Sequence, residues 1–360
     1  MSAPDRTALE QALAATPEPW LGGTLGEAGW PTTWQISDDQ VRATIELGYP
    51  LRRSRAEFAH RLTEALASDA AGAAVEIELR SVVRAHPVQA NLKPLAGIGN
   101  VIAVASGKGG VGKSTVAANL ALALVDEGAR VGMLDADIYG PSQPRMLGLS
   151  GRPKSRDGKR IEPLSAYGLV VMSAGFLVDP ATPMIWRGPM VTQALTQLLG
   201  ETDWGELDYL VVDMPPGTGD IQLTLAQRVP VAGAVIVTTP QEIAVADARK
   251  GLAMFRRVEV PVLGIVENMS GFRCPHCGET AEIFGAGGGA RLAEESGVAL
   301  LGRIPLDPRI QSAADGGRPS MVADPTGDNA SDYRACALKA AAVLAQRSRT
   351  GTAGPEIIME

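Results

Sequence analysis

The segment Gly107-Lys-Gly-Gly-Val-Gly-Lys-Ser-Thr115 restricts the fold more than any other feature of the chain. It matches G-x-x-x-x-G-K-[ST], follows the apolar run VIAVAS and opens a stretch whose pattern predicts a helix over 113–127. A strand, a glycine-rich turn and a helix in that order build a phosphate cradle. Gly107, Gly109, Gly110 and Gly112 let the backbone, Val111 included, fold tightly enough for its N–H groups to converge on phosphate oxygens. The helix N-terminus adds positive potential. Lys113 is expected to reach the β- and γ-phosphates of ATP, Ser114 to hold Mg²⁺, and Thr115 to lie near the α-phosphate.

The pattern around this loop repeats. The runs VIAVAS, RVGMLD, LVVMSA, YLVVD, AVIVTT, VLGIVEN and LLGRIP alternate with helical stretches near 113–127, 189–199, 220–228, 243–257, 287–296 and 328–347. Near-continuous apolar strands separated by helices predict an α/β fold, with a mostly parallel sheet flanked by helices on both faces. Ligands of such sheets bind beyond the carboxyl ends of the strands, and each chemical motif here falls at such an end.

Residues 1–84 read differently. They hold Trp20, Trp30 and Trp34, an alternating run at Ala43, Ile45 and Leu47, helical spacing at Phe58, Leu62, Ala65 and Leu66, and a second alternation at Val75, Ile77 and Leu79. This predicts a small α+β domain preceding the ATPase domain. Residues 85–99, with Pro87 and Pro94, read as a linker, 100–347 as the ATPase domain and 348–360 as a flexible tail. A net charge of −7 argues against nucleic-acid or anionic-membrane partners, which need a basic face. No run approaches the ~20 apolar residues of a membrane span, and the N-terminus lacks an apolar secretory core. With only three cysteines, too few for a disulfide framework, a reducing cytoplasmic location is expected.

Further residues complete the expected reaction centre. Asp213 ends the run YLVV and is the candidate magnesium carboxylate, and the loop Pro215–Asp220 after it is a candidate γ-phosphate switch. Asp137 is the candidate for orienting or activating the attacking water, whereas Asp135 either approaches the phosphates or caps the turn after its strand. Lys108, inside the loop, is either a solvated charge or a cation acting across a dimer interface in the manner of an arginine finger.

Cys274-Pro-His-Cys277 follows the run VLGIVENMS in a loop containing Gly and Pro. A redox pair would open a helix, so that reading ranks last, behind a zinc knuckle and a metal cluster. A tetrahedral zinc or a 4Fe–4S cluster wants about four protein ligands, and Cys336 lies far away in a predicted helix as a buried small apolar residue. A two-fold dimer supplies the missing pair. Ligand counting does not separate iron–sulfur from zinc.

At SGKGGVGKST, LDADIYGPSQPRMLG, the Trp186–Met190 segment WRGPM, DMPPGTGDIQLTLAQ, ENMSGFRCPHCG and IPLDPRIQSAADGGRP the chain resembles the Mrp/ApbC/Nbp family of iron–sulfur carrier ATPases. These form a branch of the MinD/ParA-like deviant Walker A NTPases. The likeness covers roughly Asn100 to Leu344. It implies a MinD-like P-loop fold, ATP hydrolysis, and a labile 4Fe–4S cluster bridged by Cys274 and Cys277 of two protomers. It further implies partners among cluster-assembly scaffolds and apo iron–sulfur proteins, Lys108 at the partner's nucleotide, and Asn268 at the adenine. The first domain resembles, thinly, a small iron–sulfur assembly domain, but contains no cysteine. The alternatives are a MinD/ParA-like positioning ATPase and a zinc-bridged nucleotide-binding scaffold. The tail ALAQRSRTGTAGPEIIME lacks the apolar face that the first would need for a membrane.

Overall fold

The computed structural model describes residues 4–155, 158–176, 188–274 and 276–350. It divides into two compact units. The smaller comprises the chain up to Arg84, Asp126–Gly128 and the chain from Ala341 onward; the larger comprises Ala85–Val125 and Ala129–Ala340.

The smaller unit has a three-stranded sheet, β1 (Thr32–Ile36), β2 (Gln40–Leu47) and β3 (Ala74–Ser81), in that spatial order. β1 and β2 pair antiparallel, β2 and β3 parallel. The helix Arg55–Leu66 makes the crossover that a parallel pair requires. Val41, Ala43, Ile45 and Leu47 of β2 alternate into the core, and Phe58, Leu62 and Leu66 of the helix are buried as well. A further helix, Arg6–Ala15, is capped by the Asp5 carboxylate and buries Leu9 and Leu13. β1 carried no signal in the sequence because it is an edge strand with no fully buried residue. Trp30 is buried and stands edge-on to Tyr49, with ring centroids 5.6 Å apart. The Tyr49 hydroxyl donates to the buried Glu18 carboxylate (2.6 Å).

The larger unit is built on nine strands: β4 (Ile98–Ser106), β5 (Val131–Asp135), β6 (Leu164–Ala166), β7 (Leu169–Ser173), β8 (Leu207–Asp213), β9 (Gly233–Thr238), β10 (Val262–Arg273), β11 (Thr280–Ala281) and β12 (Ala299–Leu306). The parallel order is β12-β10-β9-β4-β8-β5-β7, with β6 and β11 antiparallel beside β7 and β10. Each predicted apolar run becomes a parallel strand. All six residues of β9 are buried, which requires cover on both faces. The helices Lys113–Asp126, Gly188–Glu201, Asp220–Arg228, Glu242–Arg257, Gly288–Ser296 and Asp328–Thr350 provide it. The α/β fold of a P-loop NTPase, with a mostly parallel sheet flanked by helices, is therefore what the chain adopts. β6 and β11 are too short for their alternation to show in the sequence, and short helices at Gln143–Met146, Pro308–Asp315 and Ser320–Ala323 were likewise unmarked.

Two boundaries differ from the sequence reading. Residues 85–99, expected as a linker, are stitched into the larger unit. The Gln89 amide donates to the Ala226 and Val229 carbonyls and accepts from the Val231 N–H, and the His86 N–H donates to the Asn100 side chain. A linker without apolar periodicity is thus fixed by polar side chains satisfying backbone groups. The final helix continues to Thr350, beyond the predicted stop at 347; residues 351–360 of the expected tail lie outside the described residues.

After β4 the chain crosses to β5, leaving a gap that β8 fills, and later strands build outward from the other side of β4. The phosphate loop thus sits at the carboxyl end of the strand where the winding reverses, the place where open α/β sheets bind ligands.

Candidate nucleotide and metal-transfer sites

The glycines of the phosphate loop do different jobs. Gly110 and Gly112 have φ of +81° and +79°, a region that disfavours side chains. Gly107 is set by packing: a Cβ there would overlap the backbone of Asp247 and Ala248 in the helix Glu242–Arg257. A Cβ on Gly109 meets only the Pro216 side chain, at 4.0 Å. A Cβ on Gly112 would overlap the amide nitrogen of Asn268, which donates to the Val111 carbonyl at 2.8 Å. Asn268, expected at the adenine by resemblance, here braces the loop from beneath and is itself buried. The Lys108 ammonium makes no hydrogen bond or ion pair among the described residues; only its backbone carbonyl is used, by Ser106 Oγ (2.9 Å).

Lys113 turns inward. Its ammonium donates to Asp213 Oδ1 and lies 3.1 Å from Ser114 Oγ. The lysine side chain is 6% exposed and the aspartate 0%. A cation therefore stands between a hydroxyl and a carboxylate, both hard oxygen donors. This set suits Mg²⁺, which takes oxygen ligands and keeps several waters. Asp213 Oδ2 accepts from Gln143 Nε2 at 2.8 Å.

Asp135 and Asp213 are directly paired in register on neighbouring parallel strands. Burial, then the Asp213 charge, pushes the Asp135 carboxyl up to about 7. Its oxygens accept from the N–H groups of Ser142 (3.1 Å), Gln143 (3.1 Å) and Asp137 (3.2 Å) and from Ser173 Oγ (3.0 Å). These bonds make Asp135 a cap of the turn after its strand. Asp137 is half-buried and accepts from the Gly140 N–H (3.2 Å). Burial raises its carboxyl, and the nearby Lys113 charge opposes that.

The segment after Asp213, the candidate switch, is hydrogen-bonded to β4: Met214 N–H donates to the Val104 carbonyl (3.0 Å) and Gly217 N–H to that of Ser106 (3.1 Å). Gln222 Nε2 donates to the Pro215 carbonyl (3.1 Å). Two contributors escaped the sequence reading. Ser173 ends β7 beside Asp135, and Gln143, in the quoted string GPSQPRM, links the phosphate loop to both carboxylates. The only sequence signal for Gln143 was a polar residue set directly before a proline. Of the Trp186–Met190 segment, Trp186 and Arg187 lie outside the described residues, and Met190 is exposed.

The cysteines occupy the turn between β10 and β11. Cys274 N–H donates to the Glu279 carbonyl (2.8 Å) and Gly278 N–H to that of Cys274 (2.9 Å), closing a tight knuckle. Backbone N–H groups of Cys277 and His276, then the Cys277 side chain, point at the Cys274 sulfur and hold its thiol below the usual range. Cys277 and His276 are exposed, and both thiols are free. Arg273 anchors the knuckle to the last helix through Asp328 (2.8 Å). Among the described residues no group of three or more His, Cys, Asp or Glu side chains converges as a metal site. Cys336 is buried on the final helix against Gly302, with its thiol pushed up to about 12 by burial, and takes no part. Among the described residues no helix is long and apolar enough to cross a membrane.

The chain is similar to known proteins over both sites. Over 93% of its length it is 45% identical to an iron–sulfur cluster carrier protein of Escherichia coli K12, covering 95% of that protein. It is 54% identical to the mouse iron–sulfur cluster transfer protein NUBPL over 67% of this chain and 76% of the relative. A nucleotide-binding protein of Archaeoglobus fulgidus, solved with ADP, superposes with a TM-score of 0.57 at 42% identity, over 64% of this chain and 90% of that one. The MinD cell-division ATPase of Pyrococcus furiosus shares the fold (TM-score 0.51, 23% identity, 67% and 98% covered). The family model for the ParA-type, NUBPL iron-transfer P-loop NTPases matches residues 97–341. That match runs from the first strand of the large sheet through the phosphate loop and the cysteine knuckle into the last helix, so the chain belongs to the NUBPL-type iron-transfer P-loop NTPases.

Proposed function

We propose that this protein is an ATP-dependent iron–sulfur cluster carrier. Two copies hold a labile 4Fe–4S cluster between their Cys274/Cys277 pairs and pass it from assembly scaffolds to apo iron–sulfur proteins. The observation that carries the reading is the knuckle. It offers two free thiols, that of Cys274 lowered by the backbone N–H groups around it, and no third side chain converges with them as a ligand among the described residues. A four-thiolate cluster then needs a second knuckle, supplied by a two-fold partner. Iron–sulfur carriage in the relatives supports the same cargo.

The nucleotide site supports a charge exchange. Lys113 leaves Asp213 to bind the β- and γ-phosphates, and a buried carboxylate left without a cation is costly. Nucleotide therefore enters together with a replacement cation, with Ser114 and Asp213 as the residues that would hold magnesium. When bound, magnesium neutralises phosphate charge. Asp137 accepts the proton of the water that attacks the γ-phosphorus, the bond to the β–γ bridging oxygen breaks, and ADP and phosphate leave. Lys108, with no partner within its own chain among the described residues, reaches the partner's nucleotide. The Pro215–Asp220 loop, bonded to the phosphate strand, relays loss of the γ-phosphate to the cargo site.

The test is anaerobic reconstitution with iron and sulfide, read by absorption and metal analysis. The expected content is about four iron and four sulfide per dimer, lost in the Cys274→Ala/Cys277→Ala variant, which still binds nucleotide. Full iron and sulfide in that variant, or zinc in place of iron after reconstitution, refutes the reading.

A further inference from the structure

Gln143 is fully buried at the start of the short helix Gln143–Met146, and its donors are completely used. Its backbone N–H donates to Asp135 Oδ2 (3.1 Å), and its Nε2 donates to the Ser114 carbonyl (2.9 Å) and to Asp213 Oδ2 (2.8 Å). Both Nε2 partners are acceptors, so the amide can face only one way; the reverse would set oxygen against oxygen. That orientation leaves Oε1 buried with no hydrogen-bond partner among the described residues. Buried amide oxygens are seldom left so. The orphan acceptor belongs to a side chain tied to both the magnesium carboxylate and the backbone of the magnesium serine.

We infer that Gln143 is a positioning residue for the hydrated magnesium ion. It fixes Asp213 through Oδ2, which leaves Oδ1 facing the phosphate loop, and its Oε1 accepts a hydrogen bond from a water of the ion's shell. This rests on the nucleotide–magnesium reading given above. The same residue anchors the loop carrying Asp137: Asp135 holds the start of that loop and Gln143 its end. The Lys113 ammonium satisfies Asp213 but not Oε1. Gln143 therefore has one bond to gain when a hydrated cation replaces the ammonium.

The experiment is calorimetric ADP binding without turnover, at graded Mg²⁺ and with EDTA, for the full-length wild type, Gln143→Met and Gln143→Asn. Met keeps the volume and removes the amide; Asn keeps the amide but is too short to span Ser114 and Asp213. Losing hydrogen bonds at a charged centre predicts about a 10–100-fold rise in the Mg²⁺ needed for half-maximal enhancement. ADP affinity in EDTA should fall by a clearly smaller factor than affinity at saturating Mg²⁺. The inference is overturned if the Mg²⁺ requirement is unchanged, if affinities with and without Mg²⁺ fall by the same factor, or if both variants fail to fold by circular dichroism. Each of those makes Gln143 merely structural. A wild type whose ADP binding ignores Mg²⁺ would instead sink the reading of the site itself.

Discussion

Replacing Lys113 by Met removes the cation from an ion pair whose members are 6% and 0% exposed. Such a lysine is usually regarded as a nucleotide ligand alone, but here it neutralises a carboxylate set against a second buried one. Without it Asp213 keeps the Gln143 hydrogen bond and loses its counter-charge. Breaking one side of a buried pair costs about 3–5 kcal/mol. At roughly 2–4 °C per kcal/mol, the nucleotide-free melting temperature should fall by about 6–20 °C. The variant should also respond to pH. The Asp135 carboxyl is pushed up to about 7 from an ordinary 3.8, so between those values the folded state binds a proton that the unfolded chain does not. Stability from this group therefore rises as pH falls through 7. Two facing carboxylates without Lys113 should steepen that trend, so the deficit is larger at pH 8 than at pH 6. Differential scanning calorimetry at both pH values, on Lys113→Met and Lys113→Met/Asp213→Asn, tests this. The double variant should recover most of the loss, because a neutral amide still accepts from Gln143. A single variant melting within about 2 °C of wild type at pH 8, or no recovery in the double, refutes the argument.

The glycines of the loop should separate by position. Gly107→Ala, which drives a Cβ into the Asp247 backbone, should cost about 3 kcal/mol or more in urea unfolding, whereas Gly109→Ala should leave unfolding within about 0.5 kcal/mol of wild type. Cys336→Ser buries a hydroxyl in a tight site and should lose about 1–3 kcal/mol while cluster content per folded chain stays unchanged. In the folded protein at neutral pH, alkylation followed by mass spectrometry should label Cys274 and Cys277 and spare Cys336, whose thiol is both buried and held protonated.

The elements legible in the sequence were those whose signal is local. The apolar runs that became parallel strands, the helix after Ser114 and the phosphate motif are stretches of consecutive residues whose own composition fixes their conformation. The same holds for Cys274 and Cys277, whose spacing closes a turn. Strand β1 and the two-residue β11 were silent because edge strands bury too little to impose alternation. The segment 85–99 looked like a linker because what fixes it is polar, and polar side chains bonded to backbone leave no period.

What only the tertiary structure decided are pairings between distant segments. That Asp135 stands beside Asp213, that Gln143 ties Ser114 to Asp213, that Asn268 braces Val111, and that Gly107 must be glycine because the helix Glu242–Arg257 passes against it all depend on strand order and register. The sequence by itself determined a phosphate-binding α/β chain with a two-thiol turn, since backbone preference and burial pattern act within a few residues. The charge state and aim of the reactive groups came from neighbours brought together across the sheet, because desolvation and hydrogen bonding act through space rather than along the chain.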